Sequence, residues 1–100
     1  MTKQTEPVSY VPRDLSSGVV AMRLQTWGED ANTTEVMDWI LETLSENATS
    51  SFDGMQSFWV EDGDFTIQVT NGQFVWLDEE GFHATSEGAF ELALRKAPPI

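Results

Sequence analysis

Carboxylates are the side chains that offer most chemistry in this sequence, and Glu61-Asp62-Gly63-Asp64 is their most compact group. Acids that flank a glycine in this way superficially suggest calcium binding. An EF-hand loop, however, distributes its ligands over about twelve residues and ends on a bidentate glutamate. Nothing after Asp64 supplies that ligand. The group therefore predicts a solvated hairpin turn, and we expect no metal site.

The single histidine, His83, lies close in sequence to Glu79, Glu80 and Ser86. A catalytic histidine needs a nucleophile or a reacting group within reach, and Ser86 is better explained as a helix cap. Cysteine is absent, which excludes thiol nucleophiles, disulfides and cysteine-ligated zinc. The sequence also lacks a glycine-rich phosphate loop, a GxSxG elbow and an HExxH motif. These observations predict a protein that is not an enzyme and binds no cofactor.

Charge is the most informative property of the chain, which has 100 residues and a formal net charge of −12. No lysine or arginine occurs between Arg23 and Arg95, whereas fifteen acids fall in that stretch. Such a field attracts cationic partners and repels nucleic acid and anionic membranes. The alternative is that the acidity only improves solubility.

One helix is expected to carry a row of acids. At about 100° per residue, Glu35, Asp38, Glu42 and Glu46 share one helix face, and Trp39 lies beside them. The axial spacing of roughly 4.5 to 6 Å resembles that of phosphates along a DNA strand. A tryptophan flanked by charge is typical of a binding hot spot. The remaining candidate contact residues are the loop acids Glu61, Asp62, Asp64, Asp78, Glu79 and Glu80.

The elements that must position these residues begin with that helix. Asn32 is the predicted N-cap, and Glu35 completes an arrangement like a capping box. Before it, residues 18–27 are apolar and β-branched enough for a first strand. Residues 1–16 are expected to form a flexible N-terminal arm, and residues 17–97 a single domain. The apolar stripe of the helix comprises Val36, Met37, Ile40, Leu41 and Leu44.

A three-stranded meander is predicted after the helix, because Asp62-Gly63 and Asn71-Gly72 are preferred pairs for type I′ hairpins. The expected cross-strand pairs are Val60 with Phe65, Phe58 with Ile67, Val69 with Phe74, and Ile67 with Trp76. The inner face then holds Phe58, Val60, Phe65, Ile67, Val69, Phe74 and Trp76. Trp59, Val75 and Leu77 lie on the outer face, covered by the arm around Tyr10 and Val11 or left as a contact patch.

A second helix is predicted after Ser86, its N-cap, and Pro98-Pro99 ends it. The sequence thus predicts the α+β class: a three- to four-stranded antiparallel sheet with two helices on one face, in the order β-α-β-β-β-α. The order of helix, meander and helix over residues 32–97 is similar to that of a double-stranded-RNA-binding domain. Such domains present lysines where this helix begins with Ser86-Glu87-Gly88, so RNA binding is disfavoured.

The size and charge of the chain also resemble those of small inhibitors encoded by phages and mobile elements, including anti-CRISPR and anti-restriction proteins that mimic nucleic acid. We therefore expect a cytoplasmic protein-binding module that binds a basic, nucleic-acid-binding protein and neither nucleic acid nor membrane directly. The alternative is a structural or assembly component, such as a homo-oligomer or virion accessory protein, that uses its sheet face as the interface. A minor hydrolase or metal-dependent enzyme is the third hypothesis.

Overall fold

The computed structural model describes residues 4–12, 19–78 and 80–96. Within these ranges the chain forms eight strands and two helices. In chain order these are β1 (Val8–Pro12), β2 (Val19–Arg23), α1 (Thr33–Thr43), β3 (Thr49–Phe52), β4 (Ser57–Asp62), β5 (Phe65–Thr70), β6 (Phe74–Asp78), β7 (Gly81–Thr85), α2 (Glu87–Ala93) and β8 (Leu94–Lys96).

The strands form two antiparallel sheets. One has five strands in the order β7-β6-β2-β1-β8, and the other has three in the order β3-β4-β5. The α+β class is therefore confirmed, but the predicted single sheet and the order β-α-β-β-β-α are not what the described chain forms. The N-terminal segment, expected to belong to a flexible arm, instead contributes a strand: β1 (Val8–Pro12) lies between β2 and β8 in the five-stranded sheet. Residues 1–3 and 13–16 of the predicted arm lie outside the described residues.

The hairpin of β4 and β5 exists, but its register is two residues away from the predicted one. Gly63 has φ 62°, and no described residue other than glycine has a positive φ. That combination of signs belongs to a type II′ turn with Gly63 first and Asp64 second, and not to a type I′ turn. A shift of two residues keeps every side chain on its predicted face. The observed pairs are Asp62 with Phe65, Val60 with Ile67, and Phe58 with Val69.

Asn71-Gly72 does not make a hairpin; it carries the chain from one sheet to the other. The Gln73 N–H donates to the Thr70 carbonyl at 3.0 Å, and Gly72 has φ 89°. The backbone then pairs with Leu24. The Gly72 N–H donates to the Leu24 carbonyl, and the Leu24 N–H donates to the Gln73 carbonyl, both at 2.9 Å. β6 consequently pairs with β2, and the expected pairs Val69 with Phe74 and Ile67 with Trp76 are wrong.

This change of sheet also reverses the predicted faces of β6. Val75, expected on the outer face, is fully buried in the main core, and Leu77 packs against it. Phe74 and Trp76 instead pack in a second cluster on the opposite side of the five-stranded sheet. The main core comprises Met22, Leu24, Val36, Ile40, Phe58, Val60, Ile67, Val69, Val75 and Phe82.

The two helices lie on different faces of β2. α1 contributes Val36 and Ile40 to the main core, on the side of Met22. α2 contributes Phe90, which packs with Val19 and Ala21 on the other side. Successive residues of a strand point to opposite faces, so burial on both sides explains why β2 is apolar throughout its first four positions.

Asn32 lies at the predicted N-cap position of α1, but its side chain makes no capping hydrogen bond. The residue is 1% exposed, and its amide serves the backbone of two other segments. Its Oδ1 accepts the Gln25 N–H at 2.8 Å, and its Nδ2 donates to the carbonyls of Arg23 at 2.9 Å and Gln4 at 3.1 Å. A buried amide with satisfied partners is favourable where an unpaired one would be costly, so this role replaces the expected capping box.

We expect Asn32→Ala to lower the free energy of unfolding by about 2 kcal/mol, because it leaves a buried N–H and two carbonyls without a partner. Equilibrium urea unfolding measures the effect. Asn47→Ala, at an exposed turn position, is the control and should change stability by less than about 0.5 kcal/mol. Equal effects from the two substitutions would contradict the role assigned to Asn32.

Candidate functional site

The predicted acidic row is shorter than expected because α1 ends at Thr43. Asp38 and Glu42 are exposed on the helix, whereas Glu35 is half-buried in its first turn. Glu46 is exposed but lies in the turn that follows the helix. The structure therefore brings two exposed carboxylates, not four, onto the solvent face of α1.

Trp39 is not an exposed hot spot beside this row. It is half-buried and packs against the main core. Its ring meets that of Phe82 edge to face, with centroids 5.1 Å apart and planes at 86°. Aromatic pairs prefer this geometry, and it accounts for the position of Trp39 off the apolar stripe.

The acids of the β4–β5 turn lie beside the end of α1. The Asp62 carboxylate accepts hydrogen bonds from the Ser45 N–H at 3.1 Å and the Ser45 hydroxyl at 2.7 Å. Asp62 therefore has a structural role, since it ties the hairpin to the turn that carries Glu46. Glu61 and Asp64 remain exposed on the same hairpin.

Two acids of the β6–β7 hairpin, Asp78 and Glu80, lie close to the histidine. Asp78 Oδ1 accepts the Glu80 N–H at 2.8 Å and lies 3.0 Å from His83 Nε2. Partial desolvation raises the pKa of Asp78, but its hydrogen bonds with His83 and the Glu80 N–H outweigh that effect and hold it below the ordinary value. His83 also stacks on Trp76, with ring centroids 4.2 Å apart. Glu79 lies outside the described residues.

A different pair of side chains is exposed in a way the sequence did not predict. Trp27 is 68% exposed and Met55 is 76% exposed, on the loops 24–32 and 53–56. The two loops are joined directly, because the Thr26 hydroxyl donates to the Met55 carbonyl at 3.0 Å. We call Trp27 and Met55 the Trp27–Met55 patch.

Asn71 forms hydrogen bonds with both loops of the Trp27–Met55 patch. Its side-chain Oδ1 accepts the Thr26 N–H at 2.9 Å, and its backbone N–H donates to the Gln56 carbonyl at 2.6 Å. On the Trp27 side, the Gln25 amide also donates to the Trp27 carbonyl at 3.1 Å. The backbone beneath the exposed indole is therefore fixed by hydrogen bonds.

Acidic residues lie on both loops of the patch. Glu29 is exposed and Asp30 half-buried on the loop of Trp27, and exposed Asp53 begins the loop of Met55. Asp53 Oδ1 accepts the N–H groups of Met55, Gln56 and Ser57 at 2.8, 3.0 and 3.2 Å. These hydrogen bonds, that from Met55 being the strongest influence, hold the pKa of Asp53 below its ordinary value.

The structure brings together few of the groups that catalysis would need. His83 pairs with Asp78, and Ser86 Oγ accepts the Ala89 N–H at 3.3 Å as the predicted cap of α2. Within the described residues, neither helix has the length and apolar character that crossing a membrane requires. The loops 24–32 and 53–56 expose an aromatic and a thioether side chain, and both loops also carry carboxylates.

Comparison with known proteins yields no relative: the chain matches no protein-family model, and no curated protein or solved structure is significantly similar to it.

We expect Asp53→Ala to loosen the loop that presents Met55, because three backbone N–H groups lose a shared acceptor. Hydrogen exchange of the amides of residues 55–57 should accelerate, while the melting temperature changes little. Asp53→Asn is the matched control, since its Oδ1 still accepts these bonds. Exchange that is unchanged in Asp53→Ala would refute the role of this carboxylate.

The depressed pKa of Asp53 also gives the loop a pH dependence with a definite sign. A carboxyl whose folded pKa lies below its unfolded one stabilises the folded loop above the unfolded value, about 3.9, and loses that contribution as the pH falls through the folded pKa. Protection of the amides 55–57 should therefore decrease below about pH 4 in the parent protein. It should depend less on pH in Asp53→Asn.

Proposed function

We propose that this protein is a non-catalytic binding module that attaches to a basic protein surface through the Trp27–Met55 patch and the carboxylates around it. The observation that carries the proposal is the exposure of Trp27 and Met55 on two loops that are hydrogen-bonded to each other and to Asn71. Tryptophan and methionine are enriched in protein interfaces, and tryptophan is prominent among hot spots. A fixed backbone lowers the entropy lost on binding.

The charge of the chain supports a partner with a basic surface. Glu29, Asp30 and Asp53 lie on the same two loops as the patch, and the net charge of −12 extends the negative field over the whole molecule. Such a field speeds encounter with a positively charged surface and suppresses encounters with nucleic acid. An arginine that stacks on the Trp27 indole would gain a cation–π contact while its charge meets these carboxylates.

In its finer form, the proposal is that the acidic surface imitates nucleic acid and inhibits a nucleic-acid-binding protein in the cytoplasm, as a phage or mobile-element inhibitor would. Exposed carboxylates that could bind the basic groove of such a protein are those of Asp38 and Glu42 on α1 and of Glu61 and Asp64 at the β4–β5 hairpin. They are a second acidic surface, and the experiment below separates their contribution from that of the patch.

One observation favours the alternative of an assembly component. β3 is an edge strand with four exposed, uncharged residues, Thr49–Phe52. Edge strands without charge or proline can pair with another chain. Self-association through β3 would increase with salt, because salt screens the repulsion between two acidic copies. Sedimentation velocity at low and high salt distinguishes this alternative from binding to a basic partner.

The proposed function is tested by titrating the ¹⁵N-labelled protein with an oligo-arginine peptide at low salt. We expect shifts concentrated at residues 26–30 and 53–56, with Trp27→Ala raising Kd at least about tenfold, as truncation of a hot-spot residue does. Raising the salt concentration should weaken binding steeply.

Two controls make this result specific. Leu92→Ala removes an equally exposed apolar side chain, 80% exposed on α2, and should leave Kd within about twofold because it lies outside the patch. The double variant Asp38→Asn, Glu42→Gln tests the helix surface separately. Shifts confined to α1, or equal losses from Trp27→Ala and Leu92→Ala, would eliminate the patch as the contact.

A further inference from the structure

The β6–β7 hairpin brings an imidazole and two carboxylates to one point, outside the surfaces described above. One ligand atom from each of Asp78, Glu80 and His83 lies within 4.8 Å of the other two. Asp78 and His83 come from paired strands, and Glu80 lies in the turn between them. Paired strands therefore keep Asp78 and His83 close to each other, and Glu80 lies near both.

The distance between the His83 and Asp78 atoms is one that two ligands of a single ion could have. Ligand atoms bound about 2.1 Å from a metal are about 3 to 3.4 Å from each other in octahedral or tetrahedral geometry. His83 Nε2 and Asp78 Oδ1 are already 3.0 Å apart. Binding an ion would break the hydrogen bond between these two atoms and require a neutral imidazole with its proton on Nδ1, and the exposed Glu80 side chain would move to complete the set.

The surroundings restrict the two inner groups. The His83 ring stacks on Trp76 with planes 24° apart, and Asp78 Oδ1 is held by the Glu80 N–H at 2.8 Å. The two paired strands thus hold the imidazole and the carboxylate close together in the absence of an ion. Ligands that are already positioned lose less conformational entropy on binding.

We propose that Asp78, Glu80 and His83 bind a divalent transition-metal ion, with zinc as its representative. The imidazole decides the class, because nitrogen ligands suit zinc, copper, nickel and iron, whereas calcium and magnesium take oxygen ligands. Three protein ligands leave at least one position for water. The site differs from the expectation of no metal, which rested on the closeness in sequence of His83 to Glu79 and Glu80. In the structure Asp78, whose strand partner is Gly81, also reaches the His83 imidazole.

Zinc chloride alone, titrated into the full chain, tests the site by calorimetry and by ¹H–¹⁵N spectra of the His83 imidazole. We expect a zinc-dependent shift of the His83 ring nitrogens. His83→Gln and Glu80→Gln should each raise Kd at least about tenfold, since loss of outer-shell partners alone costs about 10- to 100-fold in metal sites. Asp64→Asn, which removes a turn carboxylate of the other sheet, is the matched control and should bind zinc like the parent.

Glu80→Gln keeps the test valid if His83→Gln is unstable, because Glu80 is exposed and its substitution leaves its backbone N–H intact. Zinc binding of equal strength in Glu80→Gln, Asp64→Asn and the parent would overturn the site and indicate general attraction of cations to an acidic protein. Calcium that shifts the His83 nitrogens as zinc does, or a parent protein whose His83 nitrogens do not respond to zinc, would overturn it too. None of these outcomes bears on the Trp27–Met55 patch, which the oligo-arginine titration tests separately.

Discussion

Much of this structure depends on the hydrogen bonds of one buried side-chain amide, that of Asn32. Its hydrogen bonds fix the N-terminal segment through Gln4, the end of β2 through Arg23, and the entry to the following loop through Gln25. The Asn32 N–H also donates to the Gln25 carbonyl at 2.8 Å. The loop between them is therefore closed at its base, and its tip must project outward. The same buried contact that starts α1 thus exposes Trp27.

The passage of the chain between the two sheets is the second constraint. At Asn71-Gly72 the backbone leaves β5 and joins β2 through Leu24, which creates one core between the sheets and a second beneath α2. The side chain of Asn71 uses the same place to hold the loop of Trp27. Asn71 therefore takes part both in the connection between the sheets and in the hydrogen bonds of the candidate site.

Local patterns in the sequence predicted local structure well. The stripe that includes Val36 and Ile40 gave α1, and the alternation around Gly63 gave the β4–β5 hairpin with correct faces, because both depend on neighbours within a few residues. The partner of β6 could not be predicted, since Val75 pairs with Met22, far away in sequence. The sequence did not indicate the patch, because it placed Trp27 at the end of an apolar first strand. In the structure that strand ends at Arg23, and Trp27 lies on the loop that follows.

The pairing of β1 with β8 joins the first and last described strands of the chain, with Tyr10 opposite Lys96. Such long-range contacts are formed late, because the entropy cost of ordering the intervening chain comes before the stabilisation that the contacts provide. During synthesis on the ribosome, the three-stranded sheet, made of neighbouring segments, can assemble early. The five-stranded sheet has to wait for β6 and β8. The growing chain would therefore expose the apolar strand β2 for most of its synthesis, and its strong negative charge would then help to keep unfinished copies apart.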